Sequence, residues 1–273
     1  MEESTGSLGR HTTAVVCLIW GLAATAFAQS PGPASTVPEL LPRAEFHLGA
    51  NSLDLPAADE RFSWDAYFGG AVDIADYVKG RASILADYHP VLGSELRPFD
   101  PNQAYYVLEA SGSYRAGATE VAVVFHHVSR HLSDRPKPFA VAWNVLGARV
   151  LRHAEAGRTT LDLRAGGGAI VQHSFVDYQW TADTDVVVRR GLTPHVGFFA
   201  HGTAEVFGVD GSELRGSQTG ARIEAGLRID GRGAAVELFA GYERRIDADP
   251  IDRQPMHWGL AGFRLLSRGG GGR

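Results

Sequence analysis

The chain contains 273 residues, with a formal net charge of −5 and one cysteine. A charge this small gives no reason to expect a nucleic-acid partner, and a single cysteine excludes a disulfide framework. No apolar run after residue 28 approaches the roughly 20 residues that a transmembrane helix needs, which leaves a soluble exported protein or a β-barrel.

The first 28 residues predict a secretory signal peptide. An apolar run at residues 13–27 ends in an A-x-A cleavage site before Gln29. Cleavage there also removes the only cysteine, Cys17. Residues 29–42 are rich in proline and serine and show no hydrophobic period, which predicts a flexible lead-in to the mature domain.

From residue 43 to residue 267 apolar and polar residues alternate with a period of two, which is typical of transmembrane β-strands. In segment 220–229 one face is apolar and the other is charged or glycine: Ala221, Ile223, Ala225, Leu227 and Ile229 against Arg222, Glu224, Gly226 and Arg228. Twelve such segments lie at residues 44–54, 63–76, 80–90, 104–115, 119–131, 139–152, 158–172, 181–190, 193–206, 217–230, 233–243 and 256–266.

Short turns and longer polar loops alternate along these segments. Bacterial barrels have an even number of strands, with short turns in the periplasm and long loops outside. The sequence therefore predicts an all-β fold: a single antiparallel up-and-down barrel of twelve strands over residues 43–267, with a Gly-rich tail at 268–273. The expected location is the outer membrane of a Gram-negative bacterium. A soluble β-sandwich would also alternate in this way, and it stays open as the alternative.

Polar residues break the apolar outer face at the end of the fifth segment. Side chains two residues apart on a strand share a face, so His127 and Ser129 lie on the outward face of Phe125. On the sixth segment Asn144 falls on the same outward face. The three residues should meet at the base of loop 132–138. They are of the nucleophile, base and orienter types, so we predict that Ser129 attacks, His127 accepts its proton, and Asn144 fixes the imidazole tautomer.

This region resembles the bacterial outer-membrane phospholipase A family. The resemblance rests on H-V-S at residues 127–129, S-D at 133–134 and A-W-N at 142–144, and it covers roughly residues 119–150. It implies a twelve-stranded barrel whose serine, histidine and asparagine form a lipid-facing triad, with Asp134 at the position of a calcium ligand. A second calcium-ligand position is not matched.

A second resemblance implies a different function. H-V-S-R-H-L-S-D at residues 127–134 is similar to the H-x-S-S-H-L-G-D signature of an uncharacterised family of outer-membrane barrels. That family implies the same fold and location without an established activity. Two functions therefore stay open: a serine esterase of the phospholipase A or lipid A deacylase kind at the outer-leaflet rim, and a non-catalytic barrel that is structural or a small pore.

The same loop offers a third interpretation. His126, His131 and Asp134 could together form a metal-binding or proton-binding cluster. Calcium is the one cofactor that the sequence suggests. The expected partners are membrane lipid or lipopolysaccharide, a homodimer stays open, and no nucleic acid is expected.

Overall fold

The computed structural model describes residues 35–54, 59–133 and 139–267. They form a closed antiparallel barrel in which each strand pairs with its sequence neighbours and β1 pairs with β12. The strands are β1 (Glu39–Asp54), β2 (Trp64–Asp76), β3 (Arg81–Gly93), β4 (Asp100–Ala116), β5 (Thr119–Leu132), β6 (Val141–Ala156), β7 (Thr159–Ser174), β8 (Tyr178–Gly191), β9 (Val196–Val209), β10 (Gln218–Asp230), β11 (Ala234–Arg245) and β12 (Met256–Ser267). The prediction of a twelve-stranded up-and-down barrel is confirmed.

The first strand begins earlier than the sequence predicts. β1 starts at Glu39 rather than at residue 44, so the flexible lead-in is wrong for residues 39–42. Glu39 and Leu40 pair with Asp76 and Ala75 of β2, across an irregularity in the register. The strand pairing gives hydrogen-bond partners to backbone groups of this segment, which its proline and serine content predicts to be a flexible linker. The predicted signal peptide, the start of the lead-in and the Gly-rich tail lie outside the described residues.

The two faces of the barrel wall differ in chemistry. On β5 the outward side chains of Val121, Val123 and Phe125 are exposed, whereas Ala122 and Val124 face inward and are buried. Exposed apolar side chains continue around the barrel at positions such as Phe46, Leu108, Leu146, Phe198, Leu227, Leu238 and Phe263. Closure leaves the barrel without an open sheet edge, which hydrocarbon requires. The protein is therefore a transmembrane β-barrel of the outer-membrane type.

No helix among the described residues is long and apolar enough to cross a membrane.

A charge on the apolar outer face should destabilise the barrel strongly. Val123 is 63% exposed near the middle of β5, so we expect Val123→Arg to lower the free energy of unfolding by about 2–4 kcal/mol. Urea unfolding in phospholipid vesicles, followed by tryptophan fluorescence, measures this. Ala118→Arg, in the exposed turn between β4 and β5, is the matched control and should have little effect. Equal effects of the two substitutions would contradict the placement of Val123 in hydrocarbon.

Much of the lumen is filled by buried ion pairs. Arg222 contacts Glu224 at 2.5 Å and Glu243 at 3.1 Å, and Arg264 contacts Glu224 at 2.6 Å and Glu237 at 2.5 Å. Because each of these buried charges has an opposite charge as a neighbour, the interior can be both polar and closely packed. The inward charges of the sequence thus cross-link the strands from inside.

The loop at residues 246–255 covers the end of the lumen at which the long loops lie. Ala248 is fully buried there, and its carbonyl accepts hydrogen bonds from Gln103 at 2.6 Å and Arg130 at 3.0 Å. The hydroxyl of Tyr178 donates to Asp247 at 2.6 Å. These bonds tie the loop to β4, β5 and β8, so it forms a cap over the lumen.

Arg215 fastens this cap from the loop between β9 and β10. Its guanidinium donates to Asp177 at 2.5 Å and to Asp247 at 2.7 Å. The hydrogen bond from Arg215 lowers the pKa of Asp177 below its ordinary value. The stabilisation that Asp177 supplies is therefore present at neutral pH and is lost as the pH falls through that lowered pKa.

Candidate active site

The polar residues of the outer face lie near the end of the barrel that carries the long loops. β5 ends at Leu132, so Ser129 and His127 lie close to this rim. Asn144 of β6 is the direct cross-strand partner of His127. All three side chains are partly exposed on the face that Phe125 shares. The structure thus places the three predicted residues on one outward surface of adjacent strands.

His127 and Asn144 make a short hydrogen bond. The distance from His127 Nδ1 to Asn144 Oδ1 is 2.6 Å. An amide oxygen can only accept, so this contact assigns the proton of a neutral imidazole to Nδ1 and leaves Nε2 as the basic atom. The contact therefore fixes the orientation of the His127 ring.

Gln172 on β7 extends this pair. Asn144 Nδ2 donates to Gln172 Oε1 at 2.9 Å. The oxygen and nitrogen of an amide are assigned from their partners, and with Gln172 Oε1 as the acceptor this second bond agrees with Oδ1 of Asn144 directed at His127. Gln172 therefore holds the amide of Asn144 in the orientation that His127 requires.

A β-bulge explains why the sequence did not point to Gln172. Val171 faces outward by the alternation of β7, which assigns Gln172 to the lumen. The register shifts between β6 and β7, with Val145 opposite Ile170 and Asn144 opposite Gln172. The extra residue turns the Gln172 side chain to the outer face, as bulges commonly do beside functional sites.

The serine hydroxyl does not contact the predicted base. Ser129 Oγ lies 3.3 Å from His131 Nε2, and within the described residues no hydrogen bond joins Ser129 to His127. Both histidines lie two residues from Ser129 on the same face of β5, one on each side. A change of the Ser129 rotamer is the smallest movement that would turn the hydroxyl from one toward the other. The nucleophile–base contact is thus absent in this conformation.

Aromatic rings border the site on the side of β4. Tyr106 is the cross-strand partner of Ser129, and its ring meets His131 edge-on at 5.1 Å. Tyr88 lies 4.8 Å from Tyr106, and Phe68 lies 5.2 Å from Tyr88, measured between ring centroids. Such rings are typical of the membrane–water interface. The rings are thus consistent with a site at the level of the membrane–water interface.

The predicted cluster of His126, His131 and Asp134 is wrong for its two histidines. His126 faces the lumen and contacts Glu109 at 3.0 Å, whereas His131 is exposed on the outer face. Neighbouring strand positions of opposite parity point to opposite sides of the wall, so these two imidazoles cannot bind one ion. Asp134 lies outside the described residues.

The described part of the site supplies no carboxylate for a calcium ion on the outer face beside Ser129. No group of three or more histidine, cysteine, aspartate or glutamate side chains is placed to hold a metal within the described ranges. Calcium prefers carboxylate and carbonyl oxygens, and the amide oxygens of Asn144 and Gln172 are of that kind, but each already accepts a hydrogen bond, from His127 and from Asn144 respectively. No catalytic step is therefore assigned to calcium.

Directly behind the site, the inner face of the wall carries a buried charge network. Glu109 on β4 accepts two hydrogen bonds from Arg149 on β6, at 2.6 and 2.9 Å. The carboxylate also contacts His126 Nδ1 on β5. One carboxylate thus links three adjacent strands beneath His127 and Asn144.

No family model and no curated protein matches this chain. Among solved structures, LpxR from Salmonella typhimurium is similar with a TM-score of 0.48 and 8% identity, over 82% of this chain and 99% of that one. Outer membrane phospholipase A from Escherichia coli gives 0.48 and 12%, over 85% and 98%. The calcium-bound outer membrane phospholipase dimer from Salmonella typhi gives 0.48 and 13%, over 88% and 94%. The likeness is one of fold, which the strand pairing establishes independently.

Proposed function

We propose that this protein is an outer-membrane serine esterase that hydrolyses lipid esters at the outer-leaflet rim. The observation that carries the proposal is the hydrogen bond of 2.6 Å from His127 Nδ1 to Asn144 Oδ1, two residues from Ser129 on an outward surface. An oriented imidazole beside a serine is the arrangement that nucleophilic ester hydrolysis needs.

The proposed reaction begins when the Ser129 hydroxyl turns from His131 to His127. Ser129 Oγ attacks the ester carbonyl while His127 Nε2 takes the hydroxyl proton, and the proton then passes to the departing lipid alcohol. Water attacks the resulting acyl-serine by the same route, which releases the fatty acid and restores Ser129. The Asn144 amide oxygen accepts a hydrogen bond from His127 but does not take its proton, so the role of Asn144 is to hold the tautomer and the ring orientation.

The exposure of the site supports a lipid substrate. A soluble ester would have to reach a surface bordered by Tyr106, Phe125 and Leu108, whereas a membrane lipid already lies against it. Phospholipid and the acyl esters of lipopolysaccharide share the required carboxylic ester. Release of fatty acid from each, measured separately with the purified protein, distinguishes the two.

Calcium binding through Asp134 and assembly as a homodimer remain separate proposals. Titration of the esterase activity with EGTA tests the first. Sedimentation of the protein in detergent micelles, with and without calcium, tests the second.

Gln172→Leu should lower kcat without unfolding the barrel. The substitution removes the acceptor of Asn144 Nδ2, so the amide can turn and leave His127 poorly oriented; we expect a loss of roughly 10- to 100-fold. Gln172→Glu keeps an acceptor oxygen at the same place and should retain most of the rate. If Leu and Glu at this position reduced kcat equally, the positioning role of Gln172 would be wrong.

The alternative function is a non-catalytic barrel. The contact of Ser129 Oγ with His131 Nε2, rather than with His127, favours it. Under this alternative the polar residues of the site only form hydrogen bonds with one another at the membrane–water interface. The purified protein would then release no fatty acid from any lipid, and Ser129→Ala would change nothing but the local hydrogen bonds.

A further inference from the structure

The lumen contains a cavity that the proposed esterase does not use. Its volume is about 140 Å³, and its lining comes mainly from β4–β9, with Asp65, His89, Glu243 and Arg245 from β2, β3 and β11 and Ile246 from the cap. The barrel wall separates it from Ser129 and His127 on the outer surface. We propose that this cavity binds a small uncharged aromatic molecule with one hydrogen-bonding group. This inference is independent of the proposed hydrolysis.

Aromatic and branched apolar side chains form one side of the cavity. Trp143 meets Tyr178 and Phe207 edge-on, with ring centroids 5.4 and 5.8 Å apart, while Tyr178 and Phe207 stack at 4.1 Å. Val128 and Val145 lie in the same buried cluster. Aromatic rings prefer edge-to-face and offset contacts with other rings. This side of the cavity therefore favours a flat, apolar guest.

The cavity lining also includes polar groups with unmet hydrogen bonds. Thr181 Oγ1 and Arg164 Nε are buried and have no hydrogen-bond partner in the part of the chain that the structure describes. Both residues line the cavity, and the Arg164 side chain is 6% exposed. Because buried polar groups in folded proteins are almost always hydrogen-bonded, these two point to a bound molecule whose polar group lies beside them.

Three of the four guanidinium groups that line the cavity, those of Arg149, Arg164 and Arg245, already have carboxylate partners. Arg164 lies 3.4 Å from Asp183 and 3.8 Å from Asp185, and Arg149 is paired with Glu109. Near the cap Arg245 is paired with Asp65 and Glu243, while Arg130 donates to uncharged groups that include the Ala248 carbonyl. A charged guest would have to compete with these existing contacts in a buried site, which is costly. The guest should therefore be uncharged.

The size of the cavity limits the guest. A dry protein cavity on the order of 150 Å³ accepts benzene, so this one is suited to a single ring or a small fused pair. A phenol or an indole has this size, a flat apolar surface and one group for hydrogen bonding. Such molecules match all three observations: the aromatic wall, the buried polar groups without hydrogen-bond partners, and the lining charges that are already paired.

Binding of 5-fluoroindole to the purified barrel tests the proposal by fluorine NMR. The wild-type protein should show a saturable bound resonance that empty detergent micelles lack. Val128→Phe fills the cavity from β5 and should weaken binding by at least about tenfold. Val123→Phe, on the lipid face of the same strand, is the matched control and should bind like the wild type.

Val145→Phe fills the same space from β6 and is the second test if Val128→Phe fails to fold, which heat-modifiable migration on gels reports. A wild-type signal indistinguishable from that of empty micelles would mean that the cavity holds only water, and would overturn the proposal. So would equal affinity of Val128→Phe and Val123→Phe.

Discussion

Replacing Ser129 by alanine is expected to reduce fatty-acid release from phospholipid micelles roughly a thousandfold or more, while the barrel stays folded. The loss follows because Ser129 Oγ forms the acyl intermediate in the proposed reaction, and alanine offers no nucleophile. The side chain is partly exposed at the rim and makes one hydrogen bond, to His131, so its removal should change stability little.

The matched control is Ser52→Ala. Ser52 lies on the outer face of β1 near the same end of the barrel, where its hydroxyl contacts the Ala261 carbonyl at 3.4 Å. This variant should keep wild-type activity. Full activity of Ser129→Ala, with both variants migrating as folded barrels, would exclude the serine mechanism.

The second large effect concerns stability. Glu109→Leu should lower the free energy of unfolding by about 3–5 kcal/mol, because Arg149 is then left buried without its bidentate partner. His126 loses its hydrogen bond at the same time. Urea unfolding in phospholipid vesicles, followed by tryptophan fluorescence, measures the change.

A double variant separates loss of the ion pair from simple loss of packing. Glu109→Leu combined with Arg149→Met removes both charges and fills much of the same volume, so it should recover most of the lost stability. If the double variant were as unstable as the sum of the two single variants, the Glu109–Arg149 contact would not be the cause.

The strands and their faces could be predicted from the sequence because they depend on a local pattern. A barrel wall between lipid and a polar lumen imposes a period of two on every strand, so counting alternations gave the twelve strands. The same parity placed His127, Ser129 and Asn144 on one face. The start of β1 was missed, since the pairing of Glu39 with β2 depends on a partner and not on local composition.

The finer features of the site could not be predicted because they depend on three-dimensional exceptions to the pattern. Gln172 reaches the outer face only because of the bulge after Ile170. The rotamer that directs Ser129 toward His131 cannot be predicted from the alternation of apolar and polar residues. The inward position of His126, in contrast, follows from the alternation of side chains along a strand. Residues 126 and 131 are an odd number of positions apart, so they face opposite sides of the wall.

Covalent labelling tests the central claim most directly. A long-chain alkylsulfonyl fluoride reacts with an activated serine: an O–S bond forms, the S–F bond breaks, and fluoride leaves as the base takes the hydroxyl proton. Mass spectrometry of the labelled barrel should find one adduct, on Ser129, that is lost in His127→Ala and retained in His131→Ala. Absence of the adduct on Ser129, or its persistence in His127→Ala, would contradict the proposed triad.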